Sequence, residues 1–207
     1  MNLAQAQHYA TKIVNWLMPY CAEGPTFLSG ISIVIAGSIR RQRPECADVD
    51  IVCIPKIEEV KDMLQTVISR KNLLAEFLVS YVGGVPSPGA KILTNGPRQL
   101  LIDLPKCQLD LWFADENNFA SRLLCRTGSK DHNIWLATRA KRQGKHWKPY
   151  EGIEYGGRWI AMESGDVYAG GHLLEFKSEA DIYASLDLPF IEPKNRELDY
   201  LVKNFGQ

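Results

Sequence analysis

The chain has 207 residues, 45% apolar and 23% charged, which is enough apolar material for a packed core and excludes a low-complexity or collagen-like polymer. Its apolar runs, such as Ile31 to Ala36, are strand-sized and far below the roughly 18 residues of a membrane helix. Met1 to Ala10 lacks the basic flank and apolar stretch of a secretory signal. Five cysteines form neither a C-x-x-C pair nor an even disulfide set, so reduced thiols in an intracellular protein, with no membrane contact, are expected.

Leu3 to Met18 carries Ala6, Tyr9, Ala10, Ile13, Val14 and Leu17 at three- and four-residue spacings, which predicts an amphipathic helix ended by the turn Glu23-Gly24-Pro25. Ile31 to Ala36 and Val49 to Ile54 read as buried strands, the second stopped by Pro55. Ile57, Val60, Met63, Leu64, Val67 and Ile68 predict a second helix. Gly83 to Pro97, rich in Gly and Pro, predicts a loop or irregular hairpin, with Gly83-Gly84 as a turn. Gln99 to Leu104 and Cys107 to Phe113 predict a hairpin about Pro105-Lys106.

From about Asn117 the pattern turns helical, breaks at Thr127-Gly128-Ser129 and resumes from Lys130 to Arg142. Beyond it, Gly156-Gly157, Gly165-Asp166 and Gly170-Gly171 punctuate short strands, and a last short helix is expected over Glu179 to Leu186. Trp16 and Phe119 are expected in the core, and the four histidines, which lack zinc spacing, as structural or surface residues. The fold class is α+β, with a mixed β-sheet backed by helices over residues 1–116 and a small α/β subdomain over 117–207.

Asp48-Val49-Asp50 opens the second strand. Residues two apart share a face, so both carboxylates project together while Val49 turns to the core. Like charges this close repel unless a cation neutralises them, and Mg²⁺ takes one or two carboxylates together with substrate phosphates. Alone, the pair also fits a strand-opening turn decorated with acids. Asp110, flanked by Leu109 and Leu111 on a strand, is a third acid in need of a partner; Asp103 has similar flanks but lies beside a turn, where solvent suffices.

Gly37-Ser38 directly follows the first strand, with Arg40 and Arg41 close behind. Backbone N–H groups at such a glycine, a hydroxyl and a guanidinium are phosphate donors. The pair stands eleven residues (48 minus 37) before the first acid. Phosphate donors beside metal-binding carboxylates are the parts of a nucleotidyl-transfer site.

Gly37-Ser38-Ile39-Arg40-Arg41 followed by Asp48-Val49-Asp50 resembles the signature of the DNA polymerase beta-like nucleotidyltransferases. Arg126-Thr127-Gly128-Ser129-Lys130-Asp131-His132-Asn133 resembles the T-G-S-x-x-x-N element of family X DNA polymerases, and Ser178 to Tyr183 through Glu192 to Glu197 resembles that family's C-terminal ending. The resemblance covers nearly the whole chain. It implies a minimal form, a nucleotidyltransferase palm followed by the C-terminal nucleotide-binding subdomain, without an N-terminal lyase domain.

Carried over residue by residue, the resemblance makes Asp48, Asp50 and Asp110 the catalytic, metal-holding acids for two Mg²⁺ ions, with Mn²⁺ as a substitute. Gly37, Ser38 and Arg41 would bind the β- and γ-phosphates. Gly128-Ser129 resembles the family's cis peptide beside the sugar, Asn133 would reach the incoming nucleotide, and Lys130 would lie against the base. The chain departs from the family at three places. Cys125-Arg126 stands where a Tyr-Phe pair is familiar, Trp112 where an Arg is often found behind the third aspartate, and Gln108 where an Arg is familiar. With Arg126 expected to reach outward, weak discrimination against ribonucleotides is expected.

Net charge is zero, yet Arg126 to Lys148 holds seven cations against Asp131 alone. Arg139, Lys141, Arg142 and Lys145, near Trp147 and Tyr150, are the expected DNA contacts. The function expected is that of a monomeric, Mg²⁺-dependent DNA polymerase adding dNTPs to a primer-template or gapped DNA, as in gap-filling repair. Its rivals are another nucleotidyltransferase, template-independent or directed at small molecules or proteins, and a catalytically silent nucleic-acid-binding module.

Overall fold

The computed structural model describes residues 1–24, 30–84, 89–162 and 165–206; the expected turn at Pro25 and the 85–88 part of the expected loop lie outside them. In chain order the first half comprises α1 (Leu3–Leu17), β1 (Ile33–Ile35), α2 (Gly37–Arg40), β2 (Asp48–Cys53), β3 (Ile57–Lys61), β4 (Val67–Asn72), α3 (Leu73–Gly84), β5 (Lys91–Asn95), β6 (Gln99–Leu104) and β7 (Cys107–Phe113). The second half comprises α4 (Phe119–Thr127), α5 (Lys130–Arg142), β8 (His146–Lys148), β9 (Gly152–Tyr155), β10 (Arg158–Ile160), β11 (Val167–Ala169), β12 (His172–Leu174), α6 (Glu179–Ser185) and α7 (Leu198–Phe205).

A mixed five-stranded sheet, in the order β1-β2-β7-β6-β5, forms the first half; β2 and β7 run parallel and the other pairs antiparallel. Strand alternation divides β2 cleanly. Val49, Ile51 and Cys53 point into a core with Leu109, Leu111 and Phe113 of β7, closed by Ala6, Ala10, Ile13 and Leu17 of α1 and by Leu74 and Leu78 of α3. The opposite face of β2 carries Asp48 and Asp50, then Val52 and Ile54, which pack under Phe119 and Leu123 of α4. Ala120 and Leu124, on another side of α4, join a second core with Leu136, Trp147, Ile153, Ile182, Tyr183 and Leu201. One helix thus covers the acid-bearing face of the sheet and also enters the second core.

Several expectations are corrected. Residues 57–72 form the antiparallel hairpin β3–β4, not a helix. Asp62 Oδ1 accepts from the N–H groups of Leu64 and Thr66 at 2.8 and 2.9 Å, building the turn, and Met63 and Leu64 at its tip are 99% and 85% exposed. Their helical spacing therefore buried nothing. The helix lies one step later, at α3, where Asn72 Oδ1 accepts from Ala75 N–H at 3.0 Å. Gly83 and Gly84 end that helix rather than form a turn, and Lys91–Asn95 is an edge strand of the sheet. Helix α6 is not the last, since α7 follows it. Trp16 lies at the surface, 39% exposed, against the rings of Phe77 and Tyr81; Phe119 is buried.

Candidate active site

Asp50 and Asp110 are partners in the parallel register of β2 and β7, and Asp48 is the partner of Gln108. Matched residues of neighbouring strands point the same way, so the three acids rise from one face of the sheet. Gln99 Nε2 donates to Asp110 Oδ1 at 2.7 Å. Burial, then the charges of Asp48 and Asp110, push Asp50 up to about 7, against the pull of Arg126 and Arg41. Asp103 is exposed, as expected.

A cavity of about 580 Å³ opens over this face. Gly37, Ser38, Arg41, Asp48 and Asp50 line one side, and Cys125, Arg126, Gly128, Lys130, Asn133 and Tyr150 contribute to the other. Asp110 stands beside the cavity rather than among its lining residues.

Gly37 sits at φ +58°, and a Cβ there would collide with the Asp50 carboxylate, lying 2.7 Å from its Cγ. Only glycine lets the first strand turn this close to the acid. Ser38 Oγ is buried without a hydrogen-bond partner among the described residues. Across the cavity, the Gly128–Ser129 peptide is cis and Gly128 has φ +66°. Ser129 Oγ caps α5 by accepting from His132 N–H at 3.3 Å, and Asn133 Nδ2 donates to the Cys125 carbonyl at 2.8 Å.

Among the described residues no three carboxylates, imidazoles or thiols come together so as to hold a metal ion by themselves. The donor set nevertheless fits a hard divalent ion completed by substrate oxygens. A buried carboxylate pressed by two others favours a cation, and the unpartnered Ser38 hydroxyl faces no donor of its own fold.

The two arginines after Ser38 tie the halves of the cavity together. Arg40 donates from Nη1 and Nη2 to the two oxygens of Glu179 at 2.9 and 2.6 Å, and from Nη1 to Thr127 Oγ1 at 2.6 Å. Arg196, fully buried, donates to Glu179 Oε1 at 2.7 Å and to the Ile191 carbonyl at 2.9 Å. Arg41 donates to Glu197 Oε1 at 2.9 Å and to the Thr127 carbonyl. Glu179, Arg196 and Glu197 were not among the expected site residues; the signal was their place in the C-terminal blocks that carry the family resemblance.

Arg126 does not reach outward, which corrects the sequence expectation. Its guanidinium carbon lies 3.2 Å from the ring centre of Trp112, and Nη2 donates to Tyr150 Oη. The basic segment is also more occupied than its charge suggests. Lys141 pairs with Asp166 at 2.6 Å, Arg139 donates to the Leu186 carbonyl, and Lys145 reaches the Ser185 carbonyl at the end of α6. Arg142 is exposed.

The sequence model of the DNA polymerase beta thumb matches residues 122–197. The chain is 26% identical over 202 residues to the DNA polymerase/3'-5' exonuclease PolX of Bacillus subtilis (strain 168), covering 96% of this chain and 29% of that protein. It is 26% identical over 184 residues to DNA polymerase lambda of Rattus norvegicus, covering 83% and 30%. The chain therefore spans less than a third of either relative. Its fold is that of Leishmania infantum polymerase beta, solved as a ternary complex, with a TM-score of 0.64 at 18% identity over 95% of this chain and 76% of that one. In its thumb segment and its relatives the chain is similar to DNA polymerases of the beta and PolX kind, and it shares the fold of a polymerase beta.

Proposed function

We propose that this chain is a DNA polymerase that transfers deoxynucleoside monophosphates from dNTPs to a primer 3′-hydroxyl, on primer-template or gapped DNA. The observation that carries the reading is that Asp48, Asp50 and Asp110 share one sheet face, with Asp48 and Asp50 lining a cavity together with Gly37, Ser38, Gly128 and Lys130. Residues 1–116 act as the palm and 117–207 as the nucleotide-binding subdomain, a division supported by the two separate cores.

Asp48 and Asp50 would hold both divalent ions and Asp110 would complete the site nearer the primer. Bound Mg²⁺ or Mn²⁺ supplies charge neutralisation at the triphosphate and lowers the pKa of the attacking hydroxyl. The chain does the rest by positioning. The Ser38 hydroxyl and the backbone beside Gly37 receive phosphate oxygens, and Arg41 adds positive charge to the same wall. The Gly128–Ser129 turn borders the sugar, with Lys130 and Asn133 beyond it. Template-primer contact falls to Arg139, Lys141, Arg142 and Lys145 at the end of α5 and just beyond it, with Arg142 the freest of the four to meet phosphate.

The test is nucleotide incorporation on gapped, recessed and single-stranded DNA with Mg²⁺ or Mn²⁺. Extension on gapped and recessed substrates, abolished in Asp50→Asn and Asp110→Asn, is expected. Extension of single strands alone would favour template-independent transfer. No incorporation by a folded wild type on any substrate would overturn the proposal.

A further inference from the structure

Two of the chain's departures from its family form a single contact. An aromatic residue stands at 112, where an arginine is often found, and an arginine stands at 126, where an aromatic is familiar. In the fold they meet face to face: Trp112 shares the sheet face of Asp110, and the Arg126 guanidinium carbon lies 3.2 Å from its ring centre. Tyr150 completes the holder. Its ring lies parallel to Trp112 within 4°, centroid to centroid 5.6 Å, 5.1 Å from the guanidinium carbon, and its hydroxyl accepts from Nη2. The Nε of Arg126 is buried with no partner among the described residues.

Stacking on aromatic faces and the bond to Tyr150 hold this guanidinium in place. It lines the same cavity as Asp48 and Asp50. No ion pair joins Arg126 to a carboxylate among the described residues. Its charge therefore acts on the aspartates through space, in a partly desolvated site where such effects are larger than in water.

We propose that Arg126, held by Trp112 and Tyr150, is a resident positive charge that limits how tightly the aspartate cluster takes divalent cations, and is thereby a positioning residue for nucleotidyl transfer. Without nucleotide it balances part of the acid charge. When a triphosphate brings its own negative charge, the same guanidinium ceases to be a net opponent of the ions, so metal occupancy is coupled to nucleotide arrival. The inference rests on the reading of Asp48, Asp50 and Asp110 as metal ligands.

The experiment is Mn²⁺ titration of the full chain, without nucleotide or DNA, followed by the electron paramagnetic resonance signal of free Mn²⁺. Arg126→Met keeps an unbranched stem against the two rings and removes the charge; Arg126→Lys keeps the charge. Arg126→Met is expected to bind Mn²⁺ roughly three- to tenfold more tightly than wild type, and Arg126→Lys within about twofold of it. Should Arg126→Met fail to fold by circular dichroism, Arg126→Gln supplies the same neutral comparison. A folded neutral variant whose Mn²⁺ affinity matches wild type, while Asp50→Asn abolishes binding, overturns this inference and leaves the metal site standing. Mn²⁺ binding that is absent from wild type, or indifferent to Asp50→Asn, overturns both.

Discussion

Replacing Glu179 by Gln tests how the two halves of the cavity are held in register. Glu179 is 7% exposed and accepts three bonds from two arginines, at 2.9 and 2.6 Å from Arg40 and 2.7 Å from the fully buried Arg196. Burial alone would push its pKa up, but the hydrogen bonds and charges of Arg40 and Arg196 outweigh this and hold it below the ordinary value. Gln preserves the shape but removes the charge and turns an amide N–H₂ toward a guanidinium. Leaving Arg196 buried without its counter-charge costs about 3–5 kcal/mol, a large part of the 5–15 kcal/mol that typically holds a domain folded.

Urea melts of wild type and Glu179→Gln at pH 7 measure this loss. Because the folded pKa lies below the unfolded one, the wild-type contribution is fully present above about pH 4.5 and is lost as pH falls through the lower folded value; the variant should lack that acid slope. Arg40 also holds Thr127, beside the Gly128–Ser129 turn, so surviving variant should show a raised KM for nucleotide. A stability loss below about 1 kcal/mol at pH 7, the worth of an exposed pair, would refute the argument that this network is a desolvated one.

Gly37→Ala should reduce Mn²⁺ binding and incorporation together and cost about 1–3 kcal/mol of stability, from the left-handed backbone and the collision with Asp50; wild-type metal affinity in the variant would show that the acid need not stand there. Burial, with Arg196 adding to it, pushes His132 down to about 3, and its Nε2 lies 2.7 Å from Tyr183 Oη. Since the unfolded chain takes up that proton first, stability should be full above about pH 6.5 and fall toward pH 3, by at most about 1.4 kcal/mol per unit, and His132→Gln should flatten this stretch of the urea-melt profile. Arg142→Ala should lower the slope of log binding constant against log salt for duplex DNA by about 0.9. Lys141→Ala should lower it less, because Asp166 already pairs with that lysine; equal slopes in wild type and Arg142→Ala would remove this segment from the DNA contact.

Much of the site is local and therefore legible in the residues. Asp48-Val49-Asp50 obeys the two-residue period of a strand, so the shared face of its carboxylates follows from spacing alone. Thr127-Gly128-Ser129 breaks a helical pattern because the backbone must turn there, at φ +66° for Gly128, before Ser129 caps the next helix. At 57–72 the apolar spacing suits a helix yet the chain forms a hairpin, because spacing records where apolar residues recur and not whether anything covers them. Asp62, whose side chain accepts from Leu64 and Thr66, decided the turn.

What only the tertiary structure decided is which distant groups meet. Arg40 and Glu179 are 139 positions apart, and although each lies in a block that carries the family resemblance, nothing in their local spacing says that the two pair. The Trp112–Arg126 contact likewise required the parallel register of β2 and β7 and the seating of α4 across the same face, while the sequence pattern suggested an outward-reaching arginine. Spacing fixes the face on which a side chain emerges. The partner it finds, and the charge it then imposes on its neighbours, are set by packing between segments that the sequence keeps far apart.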